Sequence, residues 1–299
     1  MSSPRRMQLH FTLLLLAYYC STHIAASGGN GTTVQCLADQ AAFLLQLKHS
    51  FYNPNLSSWQ QCTDCCRWEG VGCNRASGQV IILDLSDRNL RSIGGLSPAL
   101  FNLTSLRNLS LSGSHINSSF SRLKYLEKII LSQNSISGEV TQFLANFSSL
   151  STLDLRYNDF EGQFPTKIFY LKKLRSVGLS WSNRLSVHLP HFPAENSLEL
   201  LHLIGTNVTV SVPSSFVNLK SLASLALSMG EVADVTIALI SKLPSLQSLT
   251  LHGSGSEKPN FSWISNLERL RYLELAYYNL SSPIPFWVSN LTSLTSLLL

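Results

Sequence analysis

A chain of 299 residues is long enough for one large buried core or two ordinary domains. Only 13% of its residues are charged, which excludes a highly charged nucleic-acid binder. The formal net charge of +5 includes Arg5 and Arg6 of the leader described next, and so mild a surplus names no partner.

The chain opens MSSPRRMQLHFTLLLLAYYCSTHIAASGG, a short basic stretch, an apolar run over 11–20 and then small residues. This is the layout of a secretory signal peptide, expected over residues 1–26 with cleavage between Ala25 and Gly28. The competing reading is a signal anchor that stays in the membrane, although the apolar run is short for a span. No later stretch reaches about 18 uninterrupted apolar residues, so membrane attachment would come only through a segment missing from this chain. Entry to the secretory pathway brings an oxidising lumen and glycosylation. Ten Asn-x-Ser/Thr sequons follow, at Asn30, Asn55, Asn102, Asn108, Asn117, Asn146, Asn207, Asn260, Asn279 and Asn290.

Residues 27–78 form the next element. CLADQAAFLLQLKHSF has the spacing of an amphipathic helix, with Leu37, Phe43, Leu44, Leu47 and Phe51 near one face. Trp59 and Trp68 then offer large surfaces for burial. Between them and just beyond lies CTDCCRWEGVGC, with four of the six cysteines in twelve residues. Three chemistries compete for it. Cys62 and Cys65 make a CxxC, but no βαβ pattern surrounds it. Four thiolates could close a zinc tetrahedron, but no histidine lies in the segment and disulfides compete in the lumen. A disulfide-stapled cap is the reading preferred here, because a repeat array must cover its first apolar end.

From residue 79 to 299 the chain repeats itself. VIILDLSDRNL, LRNLSLSGSHI, LEKIILSQNSI, LSTLDLRYNDF and their successors place a second core leucine at 85, 111, 131, 155, 179, 203, 227, 251, 275 and 299. The first two intervals are 26 and 20 and the rest are 24. Alternation of leucine with polar residues makes a short strand with one buried face, and a unit this small buries its leucines only against its neighbours. The pattern resembles the leucine-rich repeat. The fold expected is an α/β repeat solenoid, a right-handed superhelix of about ten 24-residue repeats with a parallel β-sheet on its concave face. The usual asparagine that turns the chain out of each strand is present only at Asn134 and Asn158; Arg88, Ser114, Thr206, Gly230, Ser254 and Tyr278 replace it elsewhere, and Ser182 stands one residue ahead of Asn183. Ser and Thr can supply part of its bonding, Gly and Tyr cannot, so an irregular inner ladder is expected.

Two further sets of residues make the resemblance specific. EGQFP, SVHLP and SSPIP are similar to the LSGxIP signature of plant-type repeats, which implies a second short strand and a side built of short helical turns. DQAAFLLQLKHSF, LSSW, TDCCRWEGVGC and GQVIILDLS resemble the N-terminal cap of plant leucine-rich-repeat receptors and of polygalacturonase-inhibiting proteins. That resemblance implies the bridges Cys36–Cys65 and Cys66–Cys73. Cys62 has no counterpart in it and is either free or paired with another chain. The following segment, RNLRSIGGLSPALFNLTSLRNLSLSGSHIN, is most similar to the receptor-like proteins of plant defence, which carry an ectodomain, one membrane helix and no kinase. The function implied is recognition of an extracellular protein or peptide ligand, with signalling through a co-receptor kinase, at the outer side of the plasma membrane or, without an anchor, in the apoplast. The rival is a secreted inhibitor of cell-wall-degrading enzymes. The absence of any cysteine after Cys73 counts against it. Leu299 ends the chain on a core leucine, which reads as a truncated member.

Strand residues outside the core give the candidate site. Tyr157 and Trp181 fall one repeat apart and should stack; Asp154 and Arg156 share a strand with Tyr157, and His202 lies two strands along. An exposed aromatic pair beside an arginine has the makeup of an interaction hot spot, against the alternative that the rings merely pack together or cover a glycan. Asn102, Asn146 and Asn290 share one register beside the strands, whereas Asn108 faces the concave side. No catalytic signature is present, no cofactor is called for, and His202 and His252, two repeats apart, are read as solvated residues too distant to share a metal.

Overall fold

The computed structural model describes residues 34–52, 54–88, 90–92, 97–113, 125–140, 142–208, 212–228, 234–253, 260–278 and 286–299. The signal peptide and the sequons Asn30, Asn117 and Asn279 lie outside them. The chain divides into two compact units, meeting in sequence at Ile136 and Ser137.

The first unit begins with helix α1, Ala38–Lys48. Its inward residues are Gln40, Ala42, Leu44, Leu45 and Leu47, while Leu37 is exposed and Phe43 only half-buried. The buried stripe is therefore rotated from the one expected, because Gln40 turns inward: its Oε1 accepts the Val80 N–H at 2.6 Å, tying the helix to the first repeat strand. The Lys48 ammonium donates to the Leu56 and Trp59 carbonyls at 2.7 and 2.8 Å, fastening the helix end to the following loop. Trp59 and Trp68 are buried and stacked at 5.5 Å, with indole N–H groups donating to the Glu69 carbonyl and Thr63 Oγ1. Strand β1 (Phe51–Tyr52) pairs with β4 (Arg91–Ser92) antiparallel. Strand β2 (Val71–Cys73) runs antiparallel to β3 (Val80–Asp84), and β3, β5 (Asn108–Ser110) and β6 (Lys128–Ile130) are parallel neighbours.

The bridges Cys36–Cys65 and Cys66–Cys73 are formed, with Cα separations of 5.4 and 5.5 Å. Their four sulfurs lie within 4.8 Å of one another, so the zinc geometry is approached, but the atoms are spent as disulfides. Cys62 corrects the expectation of a free thiol: it is disulfide-bonded, and among the described residues no cysteine is free.

In the second unit, β8 (Thr152–Asp154), β10 (Ser176–Gly178), β12 (Leu200–His202), β14 (Ser224–Ser228), β15 (Ser248–His252), β16 (Tyr272–Ala276) and β17 (Ser296–Leu298) form one parallel sheet. The register is set by the repeat, with Val177 opposite Leu153 and Leu201 opposite Val177. Leucines 153, 155, 201, 203, 225, 249, 251, 273 and 275 are buried, and the alternate residues face outward. A second parallel sheet joins β7 (Ser137–Glu139), β9 (Asp159–Gln163), β11 (Arg184–Val187) and β13 (Asn207–Val208). Four buried phenylalanines, Phe164, Phe169, Phe192 and Phe216, pack edge to face at 5.4–5.9 Å in the same unit. Short 3-10 turns such as Thr166–Tyr170, Ser214–Asn218 and Ser262–Asn266 complete the repeats.

The inner ladder is irregular, as the replacements imply. Asn134 Nδ2 donates to the carbonyls of Leu111, Leu131 and Ser132, and Asn158 Nδ2 to those of Leu155 and Arg156. Thr206 Oγ1 reproduces one such bond, to Leu203 at 2.7 Å. Ser182 does not: it is fully buried and its hydroxyl has no partner, being too short to reach the carbonyls. Arg88 turns away to Glu69, and Tyr278 packs edge to face on Phe261 at 4.9 Å.

Candidate ligand-binding face

The outward residues of the second unit's main sheet stand in columns, because every strand is in register with the next. Several positions two residues beyond a second core leucine have a left-handed backbone. Tyr157 (φ 55°), Trp181 (φ 64°) and Tyr277 (φ 61°) adopt it, as does Gly205 (φ 66°) at the same register. For a bulky side chain this costs about 1–2 kcal/mol per residue. The ladder holds it: the Tyr157 and Trp181 N–H groups donate to the Ser180 and Ile204 carbonyls of the next repeat. The conformation turns the rings out over the sheet, where Tyr157 is 49% and Trp181 37% exposed.

Tyr157 and Trp181 stack at 6.0 Å with an interplanar angle of 18°. The Trp181 indole lies across Gly205, where an added Cβ would stand 3.0 Å from its Cε3. It thereby reaches His252, three repeats along, edge to face at 5.9 Å. His252 in turn meets Tyr277 at 5.3 Å. The result is a row of four rings over the sheet face, of which the period predicted only the first pair.

Two polar groups flank the row. The Arg156 guanidinium grips Asp154 through Nε and Nη2, each at 2.8 Å from a different carboxylate oxygen. Its stem lies over Gly178, whose missing side chain leaves that space. The bond to Asp154 raises the guanidinium pKa above its usual value, with burial opposing. His202 is half-buried and hydrogen-bonded to Ser224 Oγ at 2.8 Å. Burial first, and then the nearby Arg156 charge, lower its pKa to about 4, against a smaller opposing pull from Asp154. At the far end, Tyr272 donates its hydroxyl to Glu274 Oε2 at 2.8 Å, and Glu274 Oε1 stands 3.6 Å from His252 Nε2.

The five residues picked out from the sequence thus share one face, and Asp154 with Arg156 and Tyr157 with Trp181 are in contact. Neither histidine is the solvated residue expected: His202 is a neutral hydrogen-bonding group and His252 a ring in the aromatic row. His252, Glu274, Tyr272 and Tyr277 were missed as site members. In the first unit, serines bridge neighbouring repeats along the sheet, with Ser86 bonded to Ser110 and Ser112 to Ser132, and strand residues of that sheet form a second open face. Asn108 stands on that face, half-buried and in register with Ile82 and Lys128. Among the described residues no helix is long and apolar enough to cross a membrane.

Comparison with known proteins agrees with this geometry. Residues 37–74 match the family described as leucine rich repeat N-terminal domain. Receptor-like protein Cf-9 of Solanum pimpinellifolium is 30% identical over 287 residues, covering 70% of this chain and 33% of its own. Receptor-like protein 6 of Arabidopsis thaliana is 27% identical over 303 residues, covering 72% and 30%. The chain therefore spans about a third of the length of these relatives. Among solved structures, the Arabidopsis receptor kinase HAESA, in complex with the peptide hormone IDA and the co-receptor SERK1, superposes with a TM-score of 0.68 at 29% identity, covering 86% of this chain and 45% of that one. A plant ice-binding protein gives the same TM-score at 25% identity, covering 88% and 86%. The chain is a leucine-rich-repeat protein related to the plant receptor-like proteins.

Proposed function

We propose that the chain forms part of the extracellular ligand-recognition region of a plant cell-surface receptor-like protein, which binds a protein or peptide ligand and signals through a partner kinase. The observation that carries this reading is the aromatic and polar row on the open sheet face, set on the scaffold that HAESA shares. Aromatic residues held outward at a backbone cost, beside a bidentate Arg–Asp pair, have the character of an interaction hot spot. HAESA is seen with a peptide hormone and a co-receptor on this fold, which supports a division of labour between ligand face and partner kinase here. The reading also includes passage through the secretory pathway, removal of residues 1–26 and glycans on the exposed sequons. Ice binding is not favoured. Matching a lattice needs a regular array of one small polar residue, whereas the described column runs Asp154, Gly178, His202, Ala226, Thr250, Glu274.

Expression of the tagged chain in leaf tissue tests the proposal. The expected product has a mature N-terminus near residue 27, shifts on glycosidase treatment and co-purifies with a co-receptor kinase of the SERK1 kind. An unprocessed, unglycosylated product in the cytosolic fraction would overturn it.

A further inference from the structure

Resting on the reading of this face as the ligand surface, the row of rings and its flanking pairs narrow the chemical group that is recognised there. We propose that the face formed by Tyr157, Trp181, His252 and Tyr277 binds a neutral oligosaccharide.

Three observations lead there. First, three exposed rings stand along the face. Tyr157 and Trp181 lie within 18° of parallel at 6.0 Å, and His252, edge to face with Trp181 and with Tyr277 at 5.9 and 5.3 Å, links the pair to Tyr277. The negative face of an aromatic ring attracts the polarised C–H groups that one side of a pyranose presents, and a row of rings offers successive sugar units successive contacts. Second, the described charges beside the rings are already paired. Arg156 gives two hydrogen bonds to Asp154, and Glu274 accepts from Tyr272 and faces His252. Arg156 is thus not a bare cation for a carboxylate, sulfate or phosphate. The paired groups keep unused N–H donors and oxygen lone pairs, which suit hydroxyl groups and fix orientation. Third, the main chain beneath the rings is occupied. The N–H groups of Tyr157, Leu179, Trp181 and Leu203 all donate to the next repeat. No ligand can add a strand on this face, so one that docks here is held by side chains, as a polyhydroxylated ligand can be.

The same chemistry could arrive as a free fragment of a structural polysaccharide or as a glycan carried on a protein. Titration of the secreted chain separates these sources. The probes are cellohexaose, xylohexaose, chitohexaose and mannohexaose on one side and a released high-mannose N-glycan on the other, followed by calorimetry and tryptophan emission. Saturable binding of a neutral hexasaccharide supports the proposal with a polysaccharide source, and binding of the N-glycan alone supports it with a protein-borne source. In either case Trp181→Ala and Tyr277→Ala are each expected to weaken binding by about tenfold or more, the loss typical of an aromatic anchor. Trp181→Phe, which keeps a flat ring, should retain most of it. The proposal is overturned if no neutral probe binds saturably, if hexagalacturonate binds in preference to all of them, or if Trp181→Ala of unchanged circular dichroism binds as the parent does.

Discussion

At the scale of single residues, the open face of the second unit works through exchanges of space. Gly178 gives up a side chain so that Arg156 can lie flat against Asp154, and Gly205 does the same for Trp181. His202 sits beside this arrangement as a neutral acceptor or donor to Ser224. Its pKa of about 4 has a consequence for stability. An unfolded histidine titrates near 6.5, so between about 6.5 and 4 the unfolded chain binds the proton and the folded chain does not. Stability should therefore be full above that window and fall as pH drops through it, by an upper limit of about 3 kcal/mol from this residue. His202→Gln removes the titration while keeping a polar group near Ser224. The midpoint of thermal unfolding, followed from pH 7 to pH 4, should fall less steeply in the variant. Parallel curves would show that other groups govern the acid limb.

The elements tell the same story of neighbours supplying what a segment lacks. Helix α1 has no side-chain bond at its N-cap, and Leu37 there is exposed. What holds it is tertiary: Gln40 on the Val80 N–H, the bridge from Cys36 to Cys65, and Asp64 Oδ1 accepting from the Cys36 and Cys66 N–H groups at 3.0 and 3.1 Å. The Lys48 ammonium adds a further fastening, to two carbonyls of the loop after the helix. Lys48→Met keeps the apolar stem and leaves both carbonyls without that donor. The expected loss is about 1–3 kcal/mol, read as a lower denaturant midpoint with an unchanged slope. An unchanged midpoint would mean water replaces the ammonium at no cost. From sequence the helix itself was legible, but its inward face was not. The spacing of apolar residues favoured Phe43, and a glutamine with a buried backbone partner has no hydrophobic signature.

For the whole molecule, the repeat made most of the fold readable. From Leu131 onward, a second core leucine every 24 residues predicts both the strands and their register, and the Tyr157–Trp181 stack follows from the same arithmetic. The rest of the site did not follow. His252 lies three repeats from Trp181 and in a different column, roughly 14 Å away at the spacing of parallel strands. Contact depends on a long side chain crossing a glycine, which periodicity does not encode. The same dependence on neighbours should govern how the second unit fails. Leu201 on β12 is fully buried, with partners on β10 and β14. Leu201→Ala should cost about 2–5 kcal/mol. In an array whose repeats touch only adjacent repeats, that loss is borne locally. Hydrogen exchange of the variant should show amide protection reduced first in β10, β12 and β14, while β16 keeps the parent's rates. Equal loss from β8 to β16 would instead mean that the second unit opens as one cooperative block, and the nearest-neighbour account of its stability would have to be given up.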